Sequence, residues 1–158
     1  MIIEENFNIR ETKSPQVYSE CALLMFRSDP WITLGMSLEY CVKAFQGDYR
    51  EIFVVECEEE LAGFVIMQTQ GSFKGYIQTI CIAEPWRGRG LGKKLLQFCE
   101  KRILGYSPNV FICVSSFNKG AIRLYEKFGF KFVGELANFV KEGFTELLYR
   151  KTIGPILQ

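Results

Sequence analysis

No histidine occurs anywhere in the 158 residues. That one absence removes Ser-His and Cys-His nucleophilic machinery, His-ligated metals and histidine acid–base catalysis together. Cysteines are few and scattered: Cys21, Cys41, Cys57, Cys81, Cys99 and Cys113 stand singly, with no C-x-x-C pair. The spacing argues against a zinc knuckle and a disulfide scaffold and reads as buried thiols. Long hydrophobic runs are missing too. No window approaches an uninterrupted membrane span, and the start Met1-Ile2-Ile3-Glu4-Glu5 lacks the basic region and apolar stretch of an export signal. A cytoplasmic protein without membrane association is expected. Nor is there an excess of charge of one sign. Nineteen Lys and Arg against 18 Asp and Glu leave +1, so no whole-protein field draws the chain to nucleic acid or an anionic membrane. Any basic site must be local.

What is there is apolar and aromatic. At 48% hydrophobic and 15% aromatic residues the chain can offset its ordering entropy by burial. Its length suits one compact domain over residues 1–158 that needs neither disulfide nor metal. Phe7 to Glu11 alternates apolar and polar residues as a short strand, and Ser14-Pro15 offers an N-cap with proline at the first helical position, predicting a helix through Phe26. Ser28-Asp29-Pro30-Trp31 breaks it, and a second helix is expected over Met36 to Phe45. Ile52 to Cys57, Leu61 to Thr69 and Tyr76 to Ile82 read as an antiparallel meander. Leu91, Leu95, Phe98 and Cys99 recur at helical spacing opposite Lys93, Lys94, Gln97 and Lys101, so Gly90 to Leu104 is an amphipathic helix. Val110 to Ser115 is a further strand. Asn118 caps a helix whose stripe of Ala121, Ile122, Leu124, Tyr125 and Phe128 stops at Gly129. Two strands, Phe130 to Gly134 and Phe144 to Arg150, close the order βααβββαβαββ. No repeat, low-complexity tract or linker interrupts it.

The chemistry sits in Arg87-Gly88-Arg89-Gly90-Leu91-Gly92, between a strand ending at Ile82 and a helix beginning at Gly90. Glycines let backbone N–H groups approach an anion, a helix N-terminus supplies partial positive charge, and the arginines and Lys93 add full charges. The segment is not a Walker A loop: Lys93 precedes Lys94 rather than Ser or Thr, and position 87 is not glycine. Its G-x-G-x-G spacing also departs from the dinucleotide-binding G-x-G-x-x-G. A disordered, repeated RGG tract for RNA is not matched either, since the segment is single and flanked by ordered elements.

The segment does fit R/Q-x-x-G-x-G/A, and here the chain resembles the GNAT superfamily of N-acetyltransferases, whose signature loop cradles the pyrophosphate of coenzyme A. A second motif at the right distance, Asn118 with Leu124-Tyr125-Glu126-Lys127-Phe128-Gly129-Phe130, is similar to that family's N-x-x-A-x-x-L-Y-E-x-x-G-F run. The resemblance implies an α/β (α+β) fold: a mixed, mostly antiparallel sheet of about seven strands flanked by four helices. It implies acetyl-CoA as co-substrate, no metal, and an amine acceptor that is a small molecule or a peptide N-terminus. Gly88, Arg89, Gly90, Leu91, Gly92 and Lys93, with Arg87, are expected at the pyrophosphate, and the backbone of Ile80, Cys81 and Ile82 beside the pantetheine. There, two parallel strands that diverge near a bulge leave groups for the cofactor to satisfy. Asn118 is expected both to cap its helix and to contact the cofactor.

Direct transfer through a ternary complex needs an unprotonated amine, a polarised carbonyl and a proton for the departing thiolate. Tyr125, inside the L-Y-E-x-x-G-F run, is the expected general acid. The base has no address in the sequence: Cys113 stands where some relatives carry a fifth-strand glutamate, and Gln78 and Thr79 offer no carboxylate. Ordered water, Glu142 or bulk solvent are the alternatives. Cys113 in an apolar strand without histidine reads as packing rather than as an acyl carrier. Acceptor specificity is expected from Ser28 to Phe45 and Leu136 to Thr145, with Trp31, Tyr40, Phe45 and Phe139 as an apolar wall and Asp29 or Glu39 attracting the amine. A monomer or a homodimer fits equally. The competing reading is a non-catalytic acyl-CoA sensor or interaction module of the same fold, and a lesser one a transferase of longer acyl chains.

Overall fold

The computed structural model describes residues 6–157; the Met1 to Glu5 stretch that bears on the export expectation lies outside them. The elements are β1 (Phe7–Glu11), α1 (Pro15–Phe26), α2 (Trp31–Leu34), α3 (Leu38–Lys43), β2 (Arg50–Cys57), β3 (Glu60–Gln68), β4 (Tyr76–Ile82), a 3-10 turn (Glu84–Trp86), α4 (Leu91–Ile103), β5 (Asn109–Ser115), α5 (Lys119–Phe128), β6 (Lys131–Ala137) and β7 (Thr145–Thr152). The expected order holds with one addition. The segment read as a helix break contains the short α2, bringing the helices among the described residues to five. Asp29 makes it possible: its carboxylate accepts from Thr33 N at 3.2 Å and Thr33 Oγ1 at 2.7 Å, satisfying a donor that helix initiation leaves unpaired. Gly35, left-handed at φ 67°, ends that turn. The expected helix over Met36 to Phe45 contracts to α3 because Ser37 is the actual N-cap, accepting from Tyr40 N.

One seven-stranded sheet runs β1-β2-β3-β4-β5-β7-β6. Every pairing is antiparallel except β4 with β5. β2 and β3 are buried on both faces. Ile52, Val54, Phe64, Ile66 and Cys81 point to Cys21, Ala22 and Met25 of α1 and Cys41 of α3. The alternate residues Phe53, Val55, Val65 and Met67 point to Leu91, Leu95, Leu96, Cys99 and Ile103 of α4. Period-2 strands between two helical layers thus give two cores, one on each side of the sheet. Among the described residues no helix is long and apolar enough to cross a membrane.

Two irregularities shape the centre. Met67 pairs with Ile77 but Ile66 with Thr79, so Gln78 is an extra residue that bends β4. On its other side β4 pairs with β5 only at Tyr76↔Phe111 and Ile77↔Ile112. Beyond Ile77 the two strands part, leaving the sheet open along the C-terminal half of β4.

Candidate active site

The parting of β4 and β5 opens two cavities, and their shared lining marks where they meet. The first, of about 620 Å³, is bounded by Ile80, Cys81 and Ile82 of β4, the turn Trp86 to Gly90, the start of α4, and Asn118, Ala121, Leu124 and Tyr125. The second, of about 350 Å³, lies between α2, α3, β4, β5 and β7. Pro30, Trp31, Ile80, Asn118 and Tyr125 line both.

The first cavity follows from backbone conformation. Gly88 (φ 74°) and Gly90 (φ 80°) are both left-handed, and a Cβ built on either meets nothing within 4 Å. The protein leaves the space over this turn empty, and a side chain there would both be strained and fill the cradle. Gly90 is also the N-cap of α4, so the unpaired N–H groups and positive end of that helix adjoin the same space. Gly92 has a different purpose: a Cβ there would stand 3.0 Å from Leu124 Cδ2, so its smallness lets α5 pack on α4. Arg87 Nε donates to Ile82 O at 2.9 Å, tying the turn to the end of β4. All the residues expected around the cofactor line this cavity except Arg89. The Arg89 guanidinium stacks on the Trp86 ring, 5.0 Å from its centroid. Trp86 and Pro30 are lining residues that sequence reasoning did not find, neither carrying a periodic or motif signal of its own, and Asp29, expected on the acceptor side, lines this cavity instead.

Asn118 caps α5 through Oδ1, which accepts from Ala121 N at 3.3 Å. Tyr125, 6% exposed, belongs to the core beneath α4 and packs edge-on against Phe130 with ring centroids 6.0 Å apart. Burial, with a smaller contribution from Cys99, pushes its phenol up. Cys81 points away, into the α1 face, where its Sγ lies 3.8 Å from Ser28 Oγ. Burial pushes that thiol up to about 11, which keeps it protonated.

The second cavity draws on distant segments. Trp31, Tyr40 and Phe139 form part of its wall, as expected, with Met25, Leu34, Met36 and Val140. Phe45 does not: it is core, stacked between Tyr18 and Phe64. The two acidic residues expected to attract an amine are elsewhere engaged. Asp29 Oδ1 accepts from Thr33 N and Oγ1 in α2, and the exposed Glu39 pairs with Lys43 at 3.4 Å. Glu142 is exposed on the β6–β7 connection and does not line the cavity. Gln78 joins Ala44 O (3.2 Å) and Gln68 (2.9 Å), fastening α3 to the bulge.

The carboxylate that does line the cavity is Glu146 on β7, a residue sequence reasoning did not single out. It stands opposite Ser115 in the β5–β7 register and accepts from Ser115 Oγ at 3.0 Å through Oε1. Its Oε2 is buried without a hydrogen-bond partner among the described residues. Burial pushes the carboxyl up while the Ser115 hydroxyl pulls it down, the first effect being larger. Cys113 and Tyr76 are hydrogen-bonded neighbours in the same wall, and burial pushes both up. All six cysteines are free thiols, five buried and Cys113 half-buried.

This arrangement has recognisable counterparts. The family model described as the Acetyltransferase (GNAT) family matches residues 10–130. An N-alpha-acetyltransferase of Sulfurisphaera tokodaii is 30% identical over 104 residues, covering 58% of this chain and 62% of the relative. A spermine/spermidine N(1)-acetyltransferase of Bacillus subtilis is 36% identical over 63 residues, 39% of this chain and 41% of that one. The chain thus spans less than two thirds of the length of these curated relatives. The fold is shared with aminoglycoside 6'-N-acetyltransferase from Enterococcus faecium at a TM-score of 0.72 and 19% identity, over 94% of this chain and 98% of that one. It is shared as well with an aminoglycoside 6'-N-acetyltransferase solved with coenzyme A, at 0.71 and 20% over the same shares.

Proposed function

Because the chain belongs to the GNAT acetyltransferase family, we propose that it transfers the acetyl group of acetyl-CoA directly to a primary amine within a ternary complex. The observation that carries this reading is the meeting of two cavities at one phenol. A basic, glycine-lined cleft and a largely apolar one share Ile80, Asn118 and Tyr125, so a donor in the first and an acceptor in the second would touch there. A family neighbour solved with coenzyme A supports the assignment of the donor.

The residues fit that donor. Open backbone at Gly88 and Gly90 beside the N-terminus of α4, with Arg87 and Lys93, suits a pyrophosphate. The free edge of Ile80 to Ile82 suits an extended chain carrying amide groups, which would complete the pairing β5 abandons. Tyr125 holds its proton firmly, and in this reading it gives that proton to the departing thiolate. Desolvation raises the proton affinity of thiolate and phenolate alike, so burial of Tyr125 does not by itself unfit it as the acid. Cys113 contributes packing, not covalent carriage: burial works against the thiolate that an acyl carrier needs. The proposal takes residues 1–158 as one acetyltransferase domain acting in the cytoplasm.

The test is twofold. Acetyl-CoA at about a hundredfold over its dissociation constant should add about 2.7 kcal/mol of stability. Thiol should be released from acetyl-CoA when amines, amino acids, polyamines and short peptides are offered. A protein whose melting is unmoved by saturating acetyl-CoA does not bind the donor. One that is stabilised yet releases no thiol with any amine is the sensor of the competing reading.

A further inference from the structure

We propose that Glu146 receives the ammonium group of the acceptor and takes its proton, and that the cavity it lines selects a monoamine carried on an apolar body. The inference rests on the acetyltransferase reading and names the acceptor chemistry of the same site.

Three observations carry it. The first is the unpartnered oxygen. Glu146 is 8% exposed, one oxygen is engaged by Ser115, and Oε2 is buried with no donor. A buried carboxylate oxygen without a donor is costly unless a ligand supplies one, and an ammonium carries three N–H donors and the opposite charge. The second is exclusivity. Among the described residues no other carboxylate lines this cavity: Asp29 is bound by Thr33 on the cofactor side and Glu39 is paired with Lys43 outside it. The third is the rest of the lining. Met25, Trp31, Leu34, Met36, Phe139 and Val140 make an apolar side, uncharged polar groups such as Tyr40, Gln78 and Thr79 complete it, and the one cation among the lining residues is Lys43. A second ammonium, as in a polyamine, would find no carboxylate and would meet Lys43, whereas an apolar substituent would find contacts.

The protons balance. Glu146 takes the first proton from the ammonium and passes it to solvent, leaving the amine lone pair free. As the C–N bond to the acetyl carbon forms and the C–S bond breaks, Tyr125 gives its proton to the sulfur. The second proton shed by the nitrogen restores the phenol. The products are the amide, the thiol and one proton.

The groups that face Glu146 are Tyr76 on β4, Cys113 on β5, Tyr125 on α5, and Tyr40 and Lys43 of α3 on the far wall, with apolar Leu136 opposite it on β6. Burial holds the acids Tyr76, Cys113 and Tyr125 protonated to higher pH than usual. An ascending limb of kcat/KM between acid and neutral pH therefore reports Glu146. It is displaced above the ordinary carboxylate range, because the base acts only when ionised and burial delays ionisation.

The test uses phenethylamine as the probe monoamine and spermidine as the polyamine. Calorimetric titration of the CoA-saturated protein should show phenethylamine binding that Glu146→Gln weakens about tenfold or more. With acetyl-CoA, the same variant should lose about 10²-fold in kcat/KM together with the ascending limb, while acetyl-CoA still raises its melting temperature. Glu146→Asp should keep the limb. Ser115→Ala, which retains the carboxylate and removes the hydroxyl that pulls its pKa down, should move the limb to higher pH. Spermidine should have a kcat/KM about tenfold or more below that of phenethylamine. Wild-type affinity and limb in Glu146→Gln, an unmoved limb in Ser115→Ala, no phenethylamine binding by the wild type, or a preference for spermidine each overturns the proposal. Failure of acetyl-CoA to stabilise the wild type is a different result: it overturns the transferase reading, while the same amine titration run on the protein without CoA still judges Glu146.

Discussion

The two cavities are made by different means. The cleft proposed for the donor comes largely from two short stretches of chain, Ile80 to Lys93 and Asn118 to Tyr125, and what it offers is mostly backbone: open glycines, a helix N-terminus and a strand edge released from pairing. The acceptor cavity collects side chains from α1, α2, α3, β4, β5, β7 and the β6–β7 connection. A backbone site tolerates almost any side chain except at the positions that must have none. A side-chain site can be retuned at every position without disturbing the sheet. One frame can thus keep its donor and change its acceptor.

The sharpest way to break this contrast is to fill the cradle. Gly90→Val places a β-branched residue at φ 80°, in the space left open beside α4. It should abolish the stabilisation by acetyl-CoA, about 2.7 kcal/mol at a hundredfold excess, in thermal melts read with and without the ligand. Retention of that shift would mean the anion sits elsewhere. Next in size is Tyr125→Phe, which keeps the ring packed against Phe130 and removes only the hydroxyl. Turnover should fall about 10²-fold with acetyl-CoA affinity unchanged. Equal turnover would leave the thiolate to depart unaided.

Smaller effects belong to the acceptor side. Phe139→Ala removes an exposed ring from the cavity wall and should raise KM for apolar amines about tenfold while kcat and the melting temperature change little. A comparable loss of acetyl-CoA binding would show that the two cavities are not separable. Smallest of all is Cys113→Ala. A direct transfer should survive it within a few-fold, with initial-rate lines that intersect rather than run parallel. Loss of activity with parallel lines would move the chemistry onto the thiol.

The same division explains what could be read from the sequence. Ser14-Pro15, the alternation in Phe7 to Glu11, the apolar run Tyr76 to Ile82 and the glycines that follow it are local signals, and they locate β1, α1, β4 and the start of α4 to within a residue. The lining of the first cavity was legible because its residues are mostly neighbours in the chain. Glu146 was not. In sequence it is one charge inside a strand, as unremarked as Glu135, and only the β5–β7 register sets it against Ser115 and the acceptor cavity. Asp29 misled for the opposite reason. It lies in the segment expected to face the acceptor, yet its Oδ1 accepts from Thr33 of a four-residue helix too short to show periodicity.

The sheet joins its halves at only two residue pairs, Tyr76↔Phe111 and Ile77↔Ile112. One half is the ribbon β1-β2-β3-β4 and the other the ribbon β5-β7-β6, each paired along its strands apart from single bulges. Backbone amides along the free edge of Ile80 to Ile82 have no strand partner there, so in the absence of ligand they should exchange with solvent faster than those between β2 and β3. A donor seated in the seam would act as a removable eighth strand. It would lock two plates that otherwise share one short weld, and its departure after each turnover would loosen the seam through which the acylated product must leave.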